Sequence, residues 1–352
     1  MRQFGGFPMS SDKVTIYDIA KEAAVSPATV SRVLSGNVRV SEEKRNAVMA
    51  AVNRHHFTPN ALAKELSEES RNIIGIIAAD VQNPYYSALI AACQEATYDA
   101  GCMVLLCDSG CNLSEEQEQL KMLAAQRVKA VIQIGGRVDD LITDENYANT
   151  VTSVTGQIPV VVTGKIDGAV CYRVQIHNSR ALKLLMEHLI SLGHRKIALV
   201  GGRMDVVSTY EKYQKYLEIL QQNEIEFNPD YIITGSYGVG DGTEGARKLL
   251  SLSDMPTAAI AVNDIVAVGL IQELQRNGLS VPSDISVASY DNTFVSKLVM
   301  PHLTTIDYDY RSYGKKLVET ALAAANGESV PLIQKIEPTL VVRESTAGSG
   351  TL

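Results

Sequence analysis

The sequence predicts an α/β protein with a small helical head followed by a larger body of two doubly wound parallel sheets. Two short amphipathic segments joined by a tight turn occupy residues 14–34. From residue 72 onward, short runs rich in Val and Ile alternate with helix-length amphipathic stretches, which is typical of parallel sheets covered on both faces. With 352 residues, 45% of them hydrophobic, the chain is long enough for two or three domains.

The first segment of the head has the pattern of a short helix. Its apolar residues recur at i, i+3, i+4 and i+7, and they are Ile16, Ile19, Ala20 and Ala23. Thr15 stands at the N-cap, and Asp18 completes an imperfect capping box, because the usual partner is Glu or Gln. A turn at Ala24-Val25 then predicts a change of direction.

A second helix is predicted to begin at Ser26-Pro27, with a good cap and a proline at its first position. Its inward face consists of Val30, Val33 and Leu34, and its opposite face of Ala28, Ser31 and Arg32. Ser41 is expected to cap a third helix, which closes a three-helix head over residues 13–58. The first two helices match the helix-turn-helix that reads the DNA major groove, although a helical hairpin that only packs against a neighbour has the same pattern.

The stretch VTIYDIAKEAAVSPATVSRVLSG resembles the N-terminal signature of the LacI/GalR (lactose repressor) family of bacterial transcription regulators. The resemblance implies a repressor with a helix-turn-helix DNA-binding head. Thr15, Tyr17, Ser31 and Asn37 would contact phosphates. Pro27, Ala28 and Arg32 would face base edges, with Arg32 as the candidate guanine contact. Ser26 completes the DNA-contacting set of the head.

Residues 59–71 resemble the hinge helix of the same family, which orders when two copies pair over the minor groove. Pro59 and Asn60 would start a helix too short to be stable alone in water. Asn60, Ala63 and Leu66 would contact DNA, with Leu66 as an apolar wedge between base pairs. An ordinary linker that ends in leucine is the alternative.

The charge is divided unevenly along the chain. The net charge is −8, whereas residues 13–66 carry eight basic and five acidic side chains and the remainder is therefore −11. A modestly basic head on an acidic body suits a protein that touches DNA at one end only.

For the body, the family resemblance implies a bilobal, periplasmic-binding-protein-like effector domain over residues 72–346. We expect lobe 1 at about 72–174 and 307–331, and lobe 2 at about 175–306 and 332–346. Ligands of such sheets bind at the C-terminal ends of the strands, which here means the cleft between the lobes.

Polar and aromatic side chains follow several of the predicted strands. Tyr85 and Tyr86, in an N-P-Y-Y element that resembles the family's, would offer rings for stacking, or they would only pack locally around a helix cap. Asn263 and Asp291 match polar positions of the family and accept hydrogen bonds from hydroxyl groups, which suits a carbohydrate. Asp264 is as well suited to capping a helix. Ser109 and the pair Gly135-Gly136 are weaker candidates.

Two positions depart from the family pattern. Lys212 stands where the family usually has an arginine, and Lys215 where it has a glycine. Gly164 replaces an aspartate found in many relatives. The expected effector-binding set is therefore Tyr85, Tyr86, Ser109, Lys212, Asn263 and Asp291, while the effector itself stays open between a sugar, a purine corepressor and a phosphoprotein partner.

Other classes of protein are disfavoured by absent motifs. Five cysteines form no CxxC pair, no apolar run approaches the roughly 20 residues that cross a bilayer, and the first residues lack the apolar core of a secretory signal. We expect no cofactor, no metal and no catalytic residue, and a cytoplasmic protein that starts at Met1 or Met9. The resemblance implies a homodimer on a pseudopalindromic operator, and a solute-binding protein built on the same body is the rival.

Overall fold

The computed structural model describes residues 14–34, 40–55, 57 and 71–349. The chain divides into two compact units between residues 71 and 72. Within the described ranges, no helix is long and apolar enough to cross a membrane. Asn37 and the DNA-contacting positions expected in the hinge, Asn60, Ala63 and Leu66, lie outside the described residues.

The head contains the three predicted helices, α1 (Ile16–Glu22), α2 (Pro27–Leu34) and α3 (Glu42–Arg54). They enclose a small core of two buried side chains from each helix: Ile19, Ala20, Val30, Val33, Val48 and Ala51. Leu34 is only partly buried against this core. Ser41 occupies the N-cap position of α3, but its side chain makes no capping hydrogen bond.

The first sheet of the body has the order β11-β5-β4-β3-β1-β2. The pairs β1–β2, β3–β4, β4–β5 and β5–β11 are parallel. Numbered in chain order, its strands are β1 (Arg71–Ala78), β2 (Met103–Asp108), β3 (Val128–Ile134), β4 (Val160–Val162), β5 (Tyr172–Ile176) and β11 (Ile333–Ile336).

The second sheet has the order β12-β10-β9-β8-β6-β7, in which only the β10–β12 pair is antiparallel. Its strands are β6 (Ile197–Val200), β7 (Ile232–Ile233), β8 (Ala258–Ala261), β9 (Ser286–Tyr290), β10 (Thr304–Asp307) and β12 (Thr339–Val341).

Eight helices cover the two sheets among the described residues: α4 (Pro84–Asp99), α5 (Leu113–Ala125), α6 (Glu145–Thr155), α7 (Asn178–Ser191), α8 (Val207–Gln222), α9 (Val239–Ser251), α10 (Asp264–Arg276) and α11 (Tyr310–Ala325). Helices α9 and α10 cross in close backbone contact. A Cβ on Gly242 or on Gly269 would lie 2.0 Å from a backbone oxygen of the other helix, so glycine is required on both sides. Gly269 therefore has a packing role.

The chain crosses between the sheets three times, after β5, β10 and β11. The expected boundary at residue 332 is wrong, because β11 pairs with β5 in the first sheet, with Ile333 opposite Arg173. Strand β5 also continues to Ile176, two residues past the expected end of the lobe. The open edge of β5 explains the difference, since its backbone groups need a partner strand and β11 supplies one.

Candidate DNA-binding face and effector cavity

Helix α2 presents a polar face that is separate from its buried side. Val30 and Val33 enter the head core, while Ala28, Ser31 and Arg32 are exposed. Because residues three and four apart lie on one side of a helix, these three exposed residues form a single face. This face is small, and its one cation is an arginine, the side chain that most often contacts guanine in the major groove.

Of the expected phosphate-contacting residues, Thr15 and Tyr17 lie at the start of α1 and Ser31 on the exposed face of α2, while the expected DNA-contacting residues Ser26 and Pro27 lie at the start of α2. Thr15 and Ser26 are exposed, the ring of Tyr17 is 70% exposed, and Pro27 is partly buried. The turn between the helices passes through Ala24, whose φ of 50° is left-handed. This arrangement places the N-terminal ends of α1 and α2 at the surface of the head.

Local hydrogen bonds fix the starts of both helices. The backbone N–H and the hydroxyl of Thr15 donate to one oxygen of Asp18, at 2.8 and 2.7 Å. These bonds lower the pKa of the Asp18 carboxyl. At α2, the Thr29 N–H donates to Ser26 Oγ at 3.2 Å. The capping box is therefore present with aspartate in the place of glutamate.

A cavity of about 640 Å³ opens at the C-terminal ends of strands from both sheets. Residues following β1, β3 and β4 line it from the first lobe, and residues following β6, β8 and β9 from the second. Five of the expected effector-binding residues are part of its wall: Tyr85, Tyr86, Lys212, Asn263 and Asp291. This is the position at which open parallel sheets bind ligands.

Ser109 does not line this cavity, which corrects the expectation for it. Its side chain is 3% exposed, and its hydroxyl donates to the Ala78 carbonyl and to Glu116 Oε1, each at 3.2 Å. Glu116 is a buried carboxylate that needs hydrogen-bond donors, and Ser109 is one of them. Ser109 is therefore a structural residue.

Tyrosine rings form the aromatic part of the wall. Tyr85 lies edge-to-face on Tyr86, Tyr308 and Tyr310, with ring centroids 5.1, 6.1 and 6.0 Å apart. The backbone N–H of Tyr85 donates to the Asn83 side chain at 3.0 Å, so Asn83 caps α4. The helix cap and the cavity-lining role are thus both present in the same loop.

Lys212 and Asp291 supply opposite charges in the second lobe. Lys212 Nζ lies 3.7 Å from the centre of the Tyr290 ring. Burial lowers the pKa of Lys212 and raises the pKa of Asp291, and the attraction between the two charges opposes both shifts. Asp291 has a φ of 97°, and Tyr310 donates to its backbone carbonyl at 2.9 Å. Residues held in such strained conformations concentrate at functional sites.

Asn263 and Asp264 divide their roles differently from the expectation. The amide oxygen of Asn263 accepts the N–H of Val266 at 2.7 Å, and its amide group donates to the Tyr237 carbonyl at 3.1 Å. Asn263 is therefore the cap of α10, in addition to lining the cavity. Asp264 is 1% exposed and accepts hydrogen bonds from Ser289, Thr293 and Thr305. Asp264 therefore has a structural role in the interior of the second lobe.

A turn at residues 136–140 brings additional polar groups to the cavity that were not among the expected effector-binding residues. Gly135 and Gly136 have φ values of 73° and 78°, and a Cβ on Gly136 would lie 1.9 Å from Glu116 Oε1. Arg137, Asp139 and Asp140 then line the cavity. Two glycines directly after β3, followed by charged residues, were the available sequence signal.

The two lobes also meet at the mouth of the cavity. The Leu141 N–H donates to the Asp205 carbonyl at 2.8 Å, and Asp140 and Val206 form an isolated antiparallel bridge. Arg137 pairs with Asp140 at 3.2 Å. Lys215 does not line the cavity. Its side chain pairs with Glu218 at 2.6 Å.

Comparison with known proteins identifies both parts of the chain. The model of bacterial regulatory proteins of the lacI family matches residues 15–60, and that of the periplasmic binding protein-like domain matches residues 186–346. The regulator DegA of Bacillus subtilis is 30% identical over 342 residues, which cover 96% of this chain and 100% of DegA. The repressor PurR of Pasteurella multocida is 28% identical, over 94% of this chain and 98% of PurR.

Solved structures agree with this assignment. The lac repressor dimer bound to operator and the anti-inducer ONPF has a TM-score of 0.85 and 28% identity, over 96% of this chain and 100% of that one. The complex of the regulator CelR with cellobiose has a TM-score of 0.70 and 25% identity, over 94% and 99%. The chain therefore belongs to the lacI family of bacterial regulatory proteins, and it is a DNA-binding transcriptional repressor, not an enzyme.

Proposed function

We propose that this repressor binds a pseudopalindromic operator as a homodimer and that a carbohydrate in the interlobe cavity controls its DNA affinity. The observation that carries the proposal is the composition of the cavity wall. Tyrosine rings, carboxylates, amides, lysines and arginines surround about 640 Å³ of space, which is enough for a small polar molecule.

In the head, the exposed face of α2 would read the operator. Arg32 would donate to a guanine edge, while Pro27 and Ala28 would contact thymine methyl groups. Thr15, Tyr17, Ser26 and Ser31 would hold the helix in register through phosphates. Asn37 and the hinge residues Asn60, Ala63 and Leu66 remain in the proposed contact set on the strength of the sequence resemblance.

In the cavity, a carbohydrate fits the aromatic and hydrogen-bonding groups of the wall. The faces of sugar rings pack against aromatic side chains, and sugar hydroxyls donate to carboxylates and amides. Tyr86 in the first lobe and Asp291 in the second offer these two kinds of contact. The cellobiose complex of CelR supports this choice, since CelR has the same fold.

Exposed apolar side chains at the edge of the first sheet support the proposal of a homodimer. Strand β2 is an edge strand, and large apolar side chains are exposed on it and on the flanking helices: Tyr98, Met103, Leu105, Leu106 and Met122. Clusters of this kind on a soluble protein mark interaction surfaces. A second copy of the chain would cover them, as expected for a relative of the lac repressor dimer.

The test is a thermal-shift and operator-binding screen on the full-length protein. We expect a neutral sugar to raise the melting temperature and to change operator affinity. Stabilisation by nucleosides or purine bases, and by no sugar, would replace the carbohydrate with a purine corepressor. A response only to a phosphoprotein partner would contradict a small-molecule effector altogether.

A further inference from the structure

We propose that Asp139 contacts the effector directly and selects ligands that place a hydroxyl or amino donor against its carboxylate. The inference rests on the proposed function only in taking the interlobe cavity as the effector site. It adds a specificity-determining residue in the first lobe, opposite the Lys212–Asp291 pair of the second.

The position of Asp139 is set by the turn that carries it. Val138 is completely buried and anchors the turn, and its carbonyl accepts the N–H of Lys165 at 2.6 Å. The Arg137 N–H donates to both oxygens of Glu116, at 3.2 and 3.1 Å. The Asp139 backbone is therefore held from both sides, and its side chain faces the cavity.

Gly164 makes room for this turn. A Cβ at residue 164 would lie 1.9 Å from the Val138 carbonyl oxygen and 2.7 Å from Asp139 Oδ1. Any side chain at this position would push the turn away from β4. The absence of a side chain at residue 164 and the presence of a carboxylate at residue 139 are thus linked by packing.

Asp139 also differs from the other acidic residues of the cavity wall. Asp140 pairs with Arg137, Glu211 accepts a hydrogen bond from Asn178, and Asp291 faces Lys212. Asp80 accepts the N–H of Gln82. Among the described residues, no hydrogen-bond donor or cation pairs with the Asp139 carboxylate.

The groups around Asp139 favour a ligand that supplies a hydrogen-bond donor. Burial, with the nearby carboxylates of Glu116 and Asp140, raises the pKa of Asp139 to about 7. The titratable groups that face it are Glu116, Asp140, Tyr85, Tyr86, Tyr237 and Tyr313. None of these is a cation, so a ligand hydroxyl or amine at this point would supply the Asp139 carboxylate with a donor that these groups do not provide.

The first experiment measures binding of cellobiose, D-ribose, D-glucosamine, glucose 6-phosphate and adenosine by calorimetry to wild type, Asp139→Ala and Asp139→Asn. We expect the probe that binds wild type to lose at least about tenfold in affinity with Asp139→Ala. The control, Glu145→Gln, removes an exposed charge from the same lobe and should leave affinity within about twofold. Equal binding to wild type and Asp139→Ala would overturn the inference and leave the effector class untouched.

A ligand-free measurement covers the case in which no probe binds, which would count against the carbohydrate proposal alone. The folded Asp139 carboxyl keeps its proton to about pH 7, whereas the unfolded one releases it near its ordinary pKa of 3.8. Wild type therefore loses stability as the pH rises through that window. Asp139→Asn cannot ionise, so we expect it to melt several degrees above wild type at pH 8 and together with it at pH 4. A lower melting temperature than wild type at pH 8 would show that Asp139 has a protein partner, and the inference would be wrong.

Discussion

The head and the interlobe cavity reach a functional surface by opposite routes. In the head, the described residues that are proposed to contact DNA come from one stretch of fewer than twenty, residues 15–32. The cavity wall draws on residues 80–335, which come from both sheets. A surface made by one helix can be changed residue by residue, whereas a surface made by many loops depends on how each loop is held.

The largest expected effect is a loss of stability in the body that leaves the stability of the head unchanged. Gly269→Ala puts a Cβ 2.0 Å from the Val239 carbonyl at the α9–α10 crossing, where backbone cannot yield. We expect a loss of about 3 kcal/mol in the free energy of unfolding of the body. Hydrogen exchange should become faster in α9 and α10 and stay unchanged in α1–α3.

The matched control for this change is Gly240→Ala, since a Cβ at residue 240 has no heavy atom within 4 Å. It should stabilise α9 by up to about 1 kcal/mol, because alanine favours helix over glycine. Equal destabilisation by both variants would contradict the packing role of Gly269.

The next effect should fall on the head alone. Arg32→Ala removes the proposed guanine contact, and we expect operator affinity to fall by roughly 10–100-fold, from a base contact of about 1–3 kcal/mol. Fluorescence anisotropy with labelled operator measures this, and the stabilisation by effector should not change. Lys44→Ala, on the exposed side of α3, is the control and should cost far less. Undiminished specific binding by Arg32→Ala would exclude α2 as the reading helix.

A substitution in the cavity should weaken effector binding and leave operator binding unchanged. Asp291→Asn keeps the size of the side chain and removes its charge opposite Lys212. We expect effector affinity to fall about tenfold, because hydrogen bonds to charged groups are worth about 1.5–3 kcal/mol. Operator affinity without effector should match wild type, and a normal effector response would place the ligand elsewhere.

The smallest effect should be the loss of the α1 cap. Asp18→Ala removes the acceptor of two hydrogen bonds from Thr15, so the first turn of α1 should exchange its amides faster at pH 7. The bonds lower the pKa of Asp18 below 3.8, so their stabilisation is present above that pH and lost as the pH falls through the lowered value. A difference between variant and wild type that does not shrink as the pH is lowered would argue against the cap.

The sequence was a good guide to most of the structure that depends on neighbours along the chain, although the Ser41 side chain makes no capping hydrogen bond. The spacing of Ile19, Ala20, Val30 and Val33 predicted a head core that the structure contains. The rings of Tyr85 and Tyr86 line the cavity, as the position of the loop after β1 and the helix cap at Asn83 suggest, and their contact with an effector stays a prediction. Helical period, caps and strand ends are all local signals.

The wrong or missing predictions concern residues whose position depends on tertiary contacts. Ser109 follows a strand end as Tyr85 does, but the buried Glu116 draws its hydroxyl away from the cavity. The turn that carries Asp139 packs against Gly164, just after β4, where a side chain would collide with it. Strand β11 joined the first sheet because β5 left an edge open. No periodicity in the sequence reports these tertiary relations.

The three crossings between the lobes lie side by side. Ile336 is opposite Ile176 at the ends of β11 and β5, and Asp307 is opposite Thr339 in β10 and β12. Because three adjacent backbone segments join the lobes, we expect the lobes to move mainly by rotation about these segments. An effector that contacts both lobes would then act by favouring one opening angle over another.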